Sequence, residues 1–282
     1  MIYFLSDAHL GSRALGDVYE HQRKVIQLLN SFKADATHIY LLGDMFDFWF
    51  EYFSKDKEKK KYSALFQCIR HLVKRGIKVH YFLGNHDMWT FGGLHKLTGV
   101  QVHDKPYKVS HNGKRLYMAH GDGLIPQAMM DAIDGKNKEL AAQIGRKNIR
   151  RIRRFMALRN FFHAEWARFL FKCLPPYLGN ALGLEWAKRS RLKEMKNPCP
   201  FKGDDKEELV LFAKEREQLA ITDPDEYRHH DYYIFGHRHI ALDLPISDTS
   251  RVIILGDCFK QWTYAKLDEN GELTLCTAEL NN

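Results

Sequence analysis

The stretch Ile39-Tyr40-Leu41-Leu42-Gly43-Asp44-Met45-Phe46-Asp47 decides how this chain is read. Four apolar residues make a run of strand length, and Gly43 lets the backbone turn directly into a carboxylate. A buried strand that ends in Gly-Asp sets Asp44 at the carboxyl edge of a sheet, where open α/β sheets bind ligands. Working outward, Ile2–Leu5 is a second short apolar run and Ile77–Leu83 a third. Between them Val25, Leu28, Leu29 and Phe32 recur at helical spacing within Val18–Phe32. Leu65, Ile69, Leu72 and Val73 do the same within Tyr62–Arg75, which Gly76 stops. The first 85 residues therefore read β-α-β-α-β, with parallel strands and right-handed crossovers. Glu51–Lys61 is expected as a charged loop or helix start.

From Gly99 onward short strands take over, with Asn112-Gly113 as a hairpin turn. Further strands are expected at Arg115–Ala119, Tyr232–Phe235, Arg251–Leu255, Trp262–Leu267 and Glu272–Thr277, the last two joined by Asn270-Gly271. The region from about Ile125 to Lys214 lacks strand signals. It is expected as an inserted helical unit, residues 125–214, carried by a core made of residues 1–124 and 215–282. Pro175-Pro176 and Asn197-Pro198-Cys199-Pro200 break it into segments.

The 282 residues are 45% hydrophobic and 28% charged, an ordinary globular mixture. The net charge of +8 is local in origin. Between Arg146 and Lys196 stand fourteen Lys and Arg against three acids, a net +11. An anionic partner is implied: a phosphorylated substrate, anionic lipid or nucleic acid. Five cysteines, odd in number and without a C-x-x-C pair, argue against a disulfide framework or a thiolate metal site and for a reducing, cytoplasmic setting. The apolar start Met1–Leu5 is too short for a signal peptide, and no run is long enough to span a bilayer.

Five strand-like runs end in residues able to hold metal. They give Asp7-x-His9, Asp44 with Asp47, Gly84-Asn85-His86-Asp87, His120, and Gly236-His237-x-His239. Asp-x-His and His-x-His on extended backbone point two side chains the same way. Each alone is more often a turn or a surface pair; their joint occurrence in this order is not. A mixed carboxylate, imidazole and amide set suits Mn²⁺, Fe²⁺ or Zn²⁺, and paired ions are a recurrent solution for phosphate ester hydrolysis. His21, His71, His80 and His163 lack such partners and read as ordinary, and His229-His230 as loop.

These five blocks resemble those of the calcineurin-like metallophosphoesterase superfamily. The resemblance covers about two thirds of the chain and implies a four-layer α-β-β-α sandwich with a dinuclear site, Mn²⁺ foremost. It implies Asp7, His9, Asp44 and His239 on one ion, and Asp44, Asn85, His120 and His237 on the other. Asp44 bridges, and a hydroxide between the ions attacks phosphorus. Asn85 would meet the substrate, His86 would contact the scissile phosphate or assist the leaving group, Asp87 would orient His86, and Asp47 would support the site without ligating.

Within the superfamily the chain is similar to the UDP-2,3-diacylglucosamine diphosphatases of lipid A biosynthesis. The motifs are Phe4–Leu10, Leu42–Trp49, Met118–Asp122 and Ile234–His239, with a helical insertion between the fourth and fifth blocks. His86 departs from that family, many of whose members carry Arg there. The likeness implies a hydrolase that releases UMP and a lipid monophosphate, peripheral at the cytoplasmic face of the inner membrane. Ser190, Arg191 and Lys193 are candidate diphosphate contacts.

Ile152, Phe155, Phe162, Trp166, Phe169, Leu170 and Cys173 lie at helical spacing within Arg146–Leu174, with Arg150, Arg153, Arg154 and Arg168 interleaved. A helix packed on the core with a solvated basic face is the plainer reading. The sharper one is an amphipathic lid that takes acyl chains on its apolar side and anionic headgroups on its basic one. Two other functions compete: a phosphodiesterase or nuclease using the basic region on nucleic acid, and a non-catalytic scaffold that binds a membrane or partner.

Overall fold

The computed structural model describes residues 1–52, 57–196 and 200–280. Part of the expected Glu51–Lys61 loop and the break at Asn197-Pro198-Cys199 lie outside the described residues, as does the side chain of His163. Eleven strands among the described residues form two sheets. The first runs in the order β11-β10-β1-β2-β3-β4: β1 (Ile2–Leu5), β2 (His38–Leu41), β3 (Lys78–Phe82), β4 (Gln101–His103), β10 (Thr263–Leu267) and β11 (Leu273–Thr277). The second runs β5-β6-β7-β9-β8: β5 (Tyr107–His111), β6 (Lys114–Ala119), β7 (Tyr232–Phe235), β8 (Ala241–Pro245) and β9 (Arg251–Leu255). Strands β1 to β4 are mutually parallel, as are β6, β7 and β9, while antiparallel strands close both edges of the second sheet and the β11 edge of the first.

The alternation of side chains explains the layering. Along β1, Ile2 and Phe4 face the opposite sheet and meet Met118, Ile234 and Ile253 between the sheets. Tyr3 and Leu5 face outward, against α1 (Val18–Ser31) and α2 (Ser63–Lys74), which bury Val25, Leu28, Leu65 and Ile69 there. A strand buried on both faces reads as a continuous apolar run, and that is what made these strands visible. The outer face of the second sheet carries Tyr117, Tyr233 and Val252 and is covered by Leu209, Val210 and Phe212 of a late helix, Glu208–Thr222. The result is the expected four-layer α-β-β-α sandwich.

Several expectations change. Strand β8 was not anticipated: an edge strand with alternate half-exposed residues, closed by Pro245, it lacks an apolar run. The short helix α3 (Gly93–Thr98) also went unread. The insertion comprises α4 (Gln127–Ile133), α5 (Lys138–Ile144), α6 (Arg146–His163), α7 (Glu165–Cys173) and α8 (Pro176–Lys196). The stretch Arg146–Leu174 is thus two helices, separated by Ala164 in extended conformation, so its apolar residues do not share one stripe. The expected boundary at 214/215 falls inside Glu208–Thr222, here α9, whose apolar residues belong to the core layer.

The insertion docks through a small-residue pair. Gly179 and Gly183, one turn apart on α8, leave no room for a Cβ against Tyr52 and Phe48 respectively. Tyr52 also donates a hydrogen bond to Asn180 Oδ1 at 3.2 Å, and Trp89 Nε1–H donates to the Phe162 carbonyl of α6.

At one end of the interface between the sheets, four histidines meet: His38, His80, His103 and His111. His80 Nδ1 and His103 Nε2 are 2.9 Å apart, and the Tyr40 hydroxyl bonds His111 Nε2 at 2.7 Å. His80 is therefore not the isolated residue its sequence context suggested. Burial, then the neighbouring His111 and Lys78, lowers His38 to about 4; burial, then His103, lowers His80 to about 4. Burial also depresses His103 and His111. Because the unfolded chain takes up these protons near pH 6.5 and the folded one does not, stability falls as pH drops below about 6.5. The melting temperature of metal-free protein should decrease from pH 7 to pH 5 at constant ionic strength, and His38→Asn combined with His103→Asn should flatten that slope. An unchanged slope in the double variant would remove the cluster as its source.

Candidate metal centre

Each candidate ligand follows the carboxyl end of a strand. Asp7 and His9 follow β1, Asp44 follows β2, Asn85 and His86 follow β3, His120 follows β6, and His237 and His239 follow β7. The turns are tight. Seven described residues other than glycine have positive φ, and five of them are Asp7, His9, Asp44, His237 and His239. Side chains rarely adopt that conformation, which costs on the order of 1–3 kcal/mol each, so the surrounding structure must enforce it. Backbone bonds between the turns do so: Asp7 N–H donates to the Gly43 carbonyl, His9 N–H to that of Asp44, and Gly236 N–H to that of His120. Gly43 itself, at φ +85, has no space for a Cβ beside the His120 ring.

The side chains converge. Ligand atoms of Asp7, His9 and His239 lie within 4.8 Å of one another, and so do those of Asp7, Asp44 and His120 and those of His9, Asp44 and His86. His239 Nε2 is 3.1 Å from Asp7 Oδ1 and 3.1 Å from His9 Nε2; His120 Nε2 is 3.4 Å from Asp44 Oδ2. The His237 ring packs on that of His120 at 5.2 Å, and its backbone N–H donates to Asp7 Oδ2. Asp7, His9 and Asp44 each belong to two of the three groupings, and Asp44 is the one common to those of His86 and His120.

The donor set fits divalent cations on two counts. Asn85 Oδ1 and His120 Nε2 are buried and have no hydrogen-bond partner in the protein, although such atoms are rarely left so. His120 Nδ1–H donates to the Leu42 carbonyl at 2.7 Å, which fixes the ring and turns Nε2 to the centre. The electrostatics agree. Burial would raise Asp44, but the imidazoles of His120 and His86 hold it far below the carboxylate range; Asp7 is held down by His239 against the same burial. Burial works against a charge on His120, yet Asp44 raises it well above the ordinary imidazole value. His237 is lowered to about 4 by burial and by His120. Such a cluster exchanges protons for metal when it loads.

The other expected residues divide. His86 donates from Nδ1 to the Asp47 carbonyl at 2.7 Å, and its ring packs on Trp186 of α8. Asp87, expected to orient His86, does something else: Oδ2 accepts from Met45 N–H and the Tyr81 hydroxyl, and Oδ1 from Gly84 N–H. It ties the second and third turns together, and the Asp47 carbonyl performs the orienting. Burial, then the Asp44 charge, pushes Asp87 up to about 6. Asp47 sits beside the centre, 3.5 Å from His9 Nδ1 and 3.6 Å from Arg191 Nη2. Arg191 is 2% exposed and also reaches His239 Nδ1 at 3.4 Å. Ser190 lines a neighbouring cavity, whereas Lys193 is exposed.

A sixth strand end went unread. The loop after β9 begins Gly256-Asp257; Asp257 accepts from the N–H groups of Lys260 and Gln261, and Gln261 Nε2 donates to the His239 carbonyl at 2.6 Å. Phe259 packs against both His9 and His239. Its signal was in plain view, since Leu255-Gly256-Asp257 repeats the pattern of Leu42-Gly43-Asp44.

A cavity of about 460 Å³ opens beside the centre, between the core and α6–α8. Asn85 and His237 form part of its wall, and Trp89, Phe155, Phe162, Phe171, Leu182 and Trp186 make the rest predominantly apolar.

No protein-family model matches the chain. The UDP-2,3-diacylglucosamine hydrolase of Porphyromonas gingivalis (strain ATCC BAA-308 / W83) is 31% identical over 278 residues, covering 95% of this chain and 94% of that one. The protein of the same name from Haemophilus influenzae (strain PittGG) is 26% identical over 275 residues, covering 96% of each. Among solved structures, a dimetal phosphatase from Danio rerio is 14% identical with a TM-score of 0.41 over 98% of both chains.

The assigned geometry separates three variants. Asp44→Ala should lose metal and turnover together. His86→Ala should keep metal, measured by elemental analysis, while turnover falls about 10²–10⁴-fold. Asp87→Ala should act on stability, by about 2–4 kcal/mol, since it strands buried donors; equal metal loss in the first two variants would contradict these roles.

Proposed function

The chain belongs to the UDP-2,3-diacylglucosamine hydrolase family, and from that premise we propose that it cleaves the diphosphate of UDP-2,3-diacylglucosamine, giving UMP and the lipid monophosphate. The observation that carries this reading is the continuity of the ligand cluster with the apolar cavity. A substrate with a charged diphosphate and acyl chains needs both surfaces side by side. A nucleic-acid strand needs a basic groove there, and the wall beside Asn85 and His237 is mostly aromatic and aliphatic.

Two divalent ions, Mn²⁺ in our reading, would be held by Asp7, His9, Asp44 and His239 and by Asp44, Asn85, His120 and His237. Bound there they supply an activated water and offset charge on the phosphoryl oxygens. The remaining work belongs to the chain. Asp44 sets the spacing of the two halves. His86 donates from Nδ1 to the Asp47 carbonyl, which leaves Nε2 to face a phosphoryl or departing oxygen; it donates there when the ring is protonated to the imidazolium. Trp186, tilted against the His86 ring, and the cavity aromatics keep water from the reacting end.

The insertion is our candidate for contact with a membrane surface. No described helix is long and apolar enough to cross a membrane. Trp166, Phe169 and Leu170 on α7 and Tyr177 on α8 are more than half exposed. Large apolar side chains so placed, among many bases, suit the interface of an anionic bilayer.

Purified protein stripped with a chelator should be inactive, and Mn²⁺ should restore UMP release from the lipid nucleotide. If the reloaded protein cleaved simple phosphodiesters but released no UMP, the substrate assignment would fail. Trp166→Asp with Phe169→Asp should weaken co-sedimentation with phosphatidylglycerol-containing vesicles by about tenfold or more.

A further inference from the structure

We propose that Arg159 is a substrate-contacting residue, delivered by α6 to grip the phosphate of the diphosphate that lies away from the ions. The inference rests on the reading above and extends it to a residue that no sequence block includes. Among the described residues lining the 460 Å³ cavity, Arg159 is the sole lysine, arginine or acidic side chain. Its bond to Asp122, two residues after His120, places it at the ligand end of a wall that Asn85 and His237 also line. Of the seven bases on α6, the six others are exposed and Arg159 is half-buried. A half-buried cation in an apolar wall needs a reason.

Part of the reason is Asp122, two residues after His120, whose Oδ2 accepts from Arg159 Nε–H at 2.9 Å. That bond fixes the guanidinium by its Nε edge. Among the described residues, no hydrogen bond engages the Nη groups. Those groups are the edge with which arginine grips phosphate oxygens. The backbone makes room as well: a Cβ on Gly123 would lie 2.7 Å from Arg159 Nε and 3.0 Å from Cζ. Gly123, at φ +73, is a place where a side chain would displace the guanidinium. Asp122 is then a positioning residue that ties the arginine to the turn bearing His120.

The test is direct binding of the methylene-bridged analogue of UDP, which resists hydrolysis, to metal-saturated protein by calorimetry. Arg159→Gln should weaken it about tenfold or more and Arg159→Lys less. Gly123→Ala should resemble Arg159→Gln, while Arg151→Gln, an exposed base on the same helix, should change nothing. In kinetics, Arg159→Gln should depress kcat/KM more for the lipid nucleotide than for a chromogenic single-phosphate diester. Unaltered affinity, or equal losses on both substrates accompanied by loss of metal, would overturn the proposal. Should the wild type fail to hydrolyse the lipid nucleotide, the substrate reading falls, and the calorimetric comparison still decides whether Arg159 holds a diphosphate.

Discussion

Two buried carboxylates, Asp7 and Asp44, held within a few ångströms of each other by strained turns, set the terms for the whole structure. Buried negative charge is costly unless compensated. Here the compensation comes from imidazoles that arrive from four strand ends, so two sheets must be brought to one edge. The left-handed backbone at five of these residues is tolerated because it is cross-linked. Turn bonds to turn, and each turn is rooted in a strand buried on both faces. The apolar sandwich is thus the means by which an unfavourable concentration of polar groups is kept in place.

The insertion is fastened to the same edge. Arg159 pairs with Asp122, two residues after His120. Arg191 approaches Asp47, three residues after Asp44. Glu207, fully buried at the start of α9, pairs with Arg238, the residue between His237 and His239. All three ion pairs join the helical region to a turn that carries ligands. Breaking such a pair strands a charge, which is costly, so the three pairs hold the helical region in place over the centre. The posture of the roof and the geometry of the ligands are therefore one problem.

Much of this was readable because its chemistry follows fully buried strands, and such strands announce themselves as apolar runs. The five blocks and the parallel order of the first three strands came from that signal, and the hairpin at Asn112-Gly113 from its turn residues. What escaped has physical causes. Strand β8 lies at an edge with one face wet, and its run is diluted. The break at Ala164 carries neither Gly nor Pro. Helix α9 was divided because the boundary was drawn where strand signals resume, whereas Leu209, Val210 and Phe212 are placed by apolar packing on the second sheet. Asp87 stands next to His86 in sequence, yet its carboxylate bonds Met45, Gly84 and Tyr81, a choice made by the approach of two turns. Gly179 and Gly183 carry no signal of their own in the sequence, since what requires them is the approach of Tyr52 and Phe48 from a distant segment.

Strands β6 and β7 are hydrogen-bonded neighbours, although everything from His120 to Asp231 lies between them along the chain. Closing so long an excursion costs little more than closing one of half the length, about 0.6 kcal/mol per doubling. The register of the second sheet is accordingly almost indifferent to how many residues the excursion contains. The helices above the strand ends are thus free in length, but not at Arg159, Arg191 and Glu207, which pair with the ligand-bearing turns.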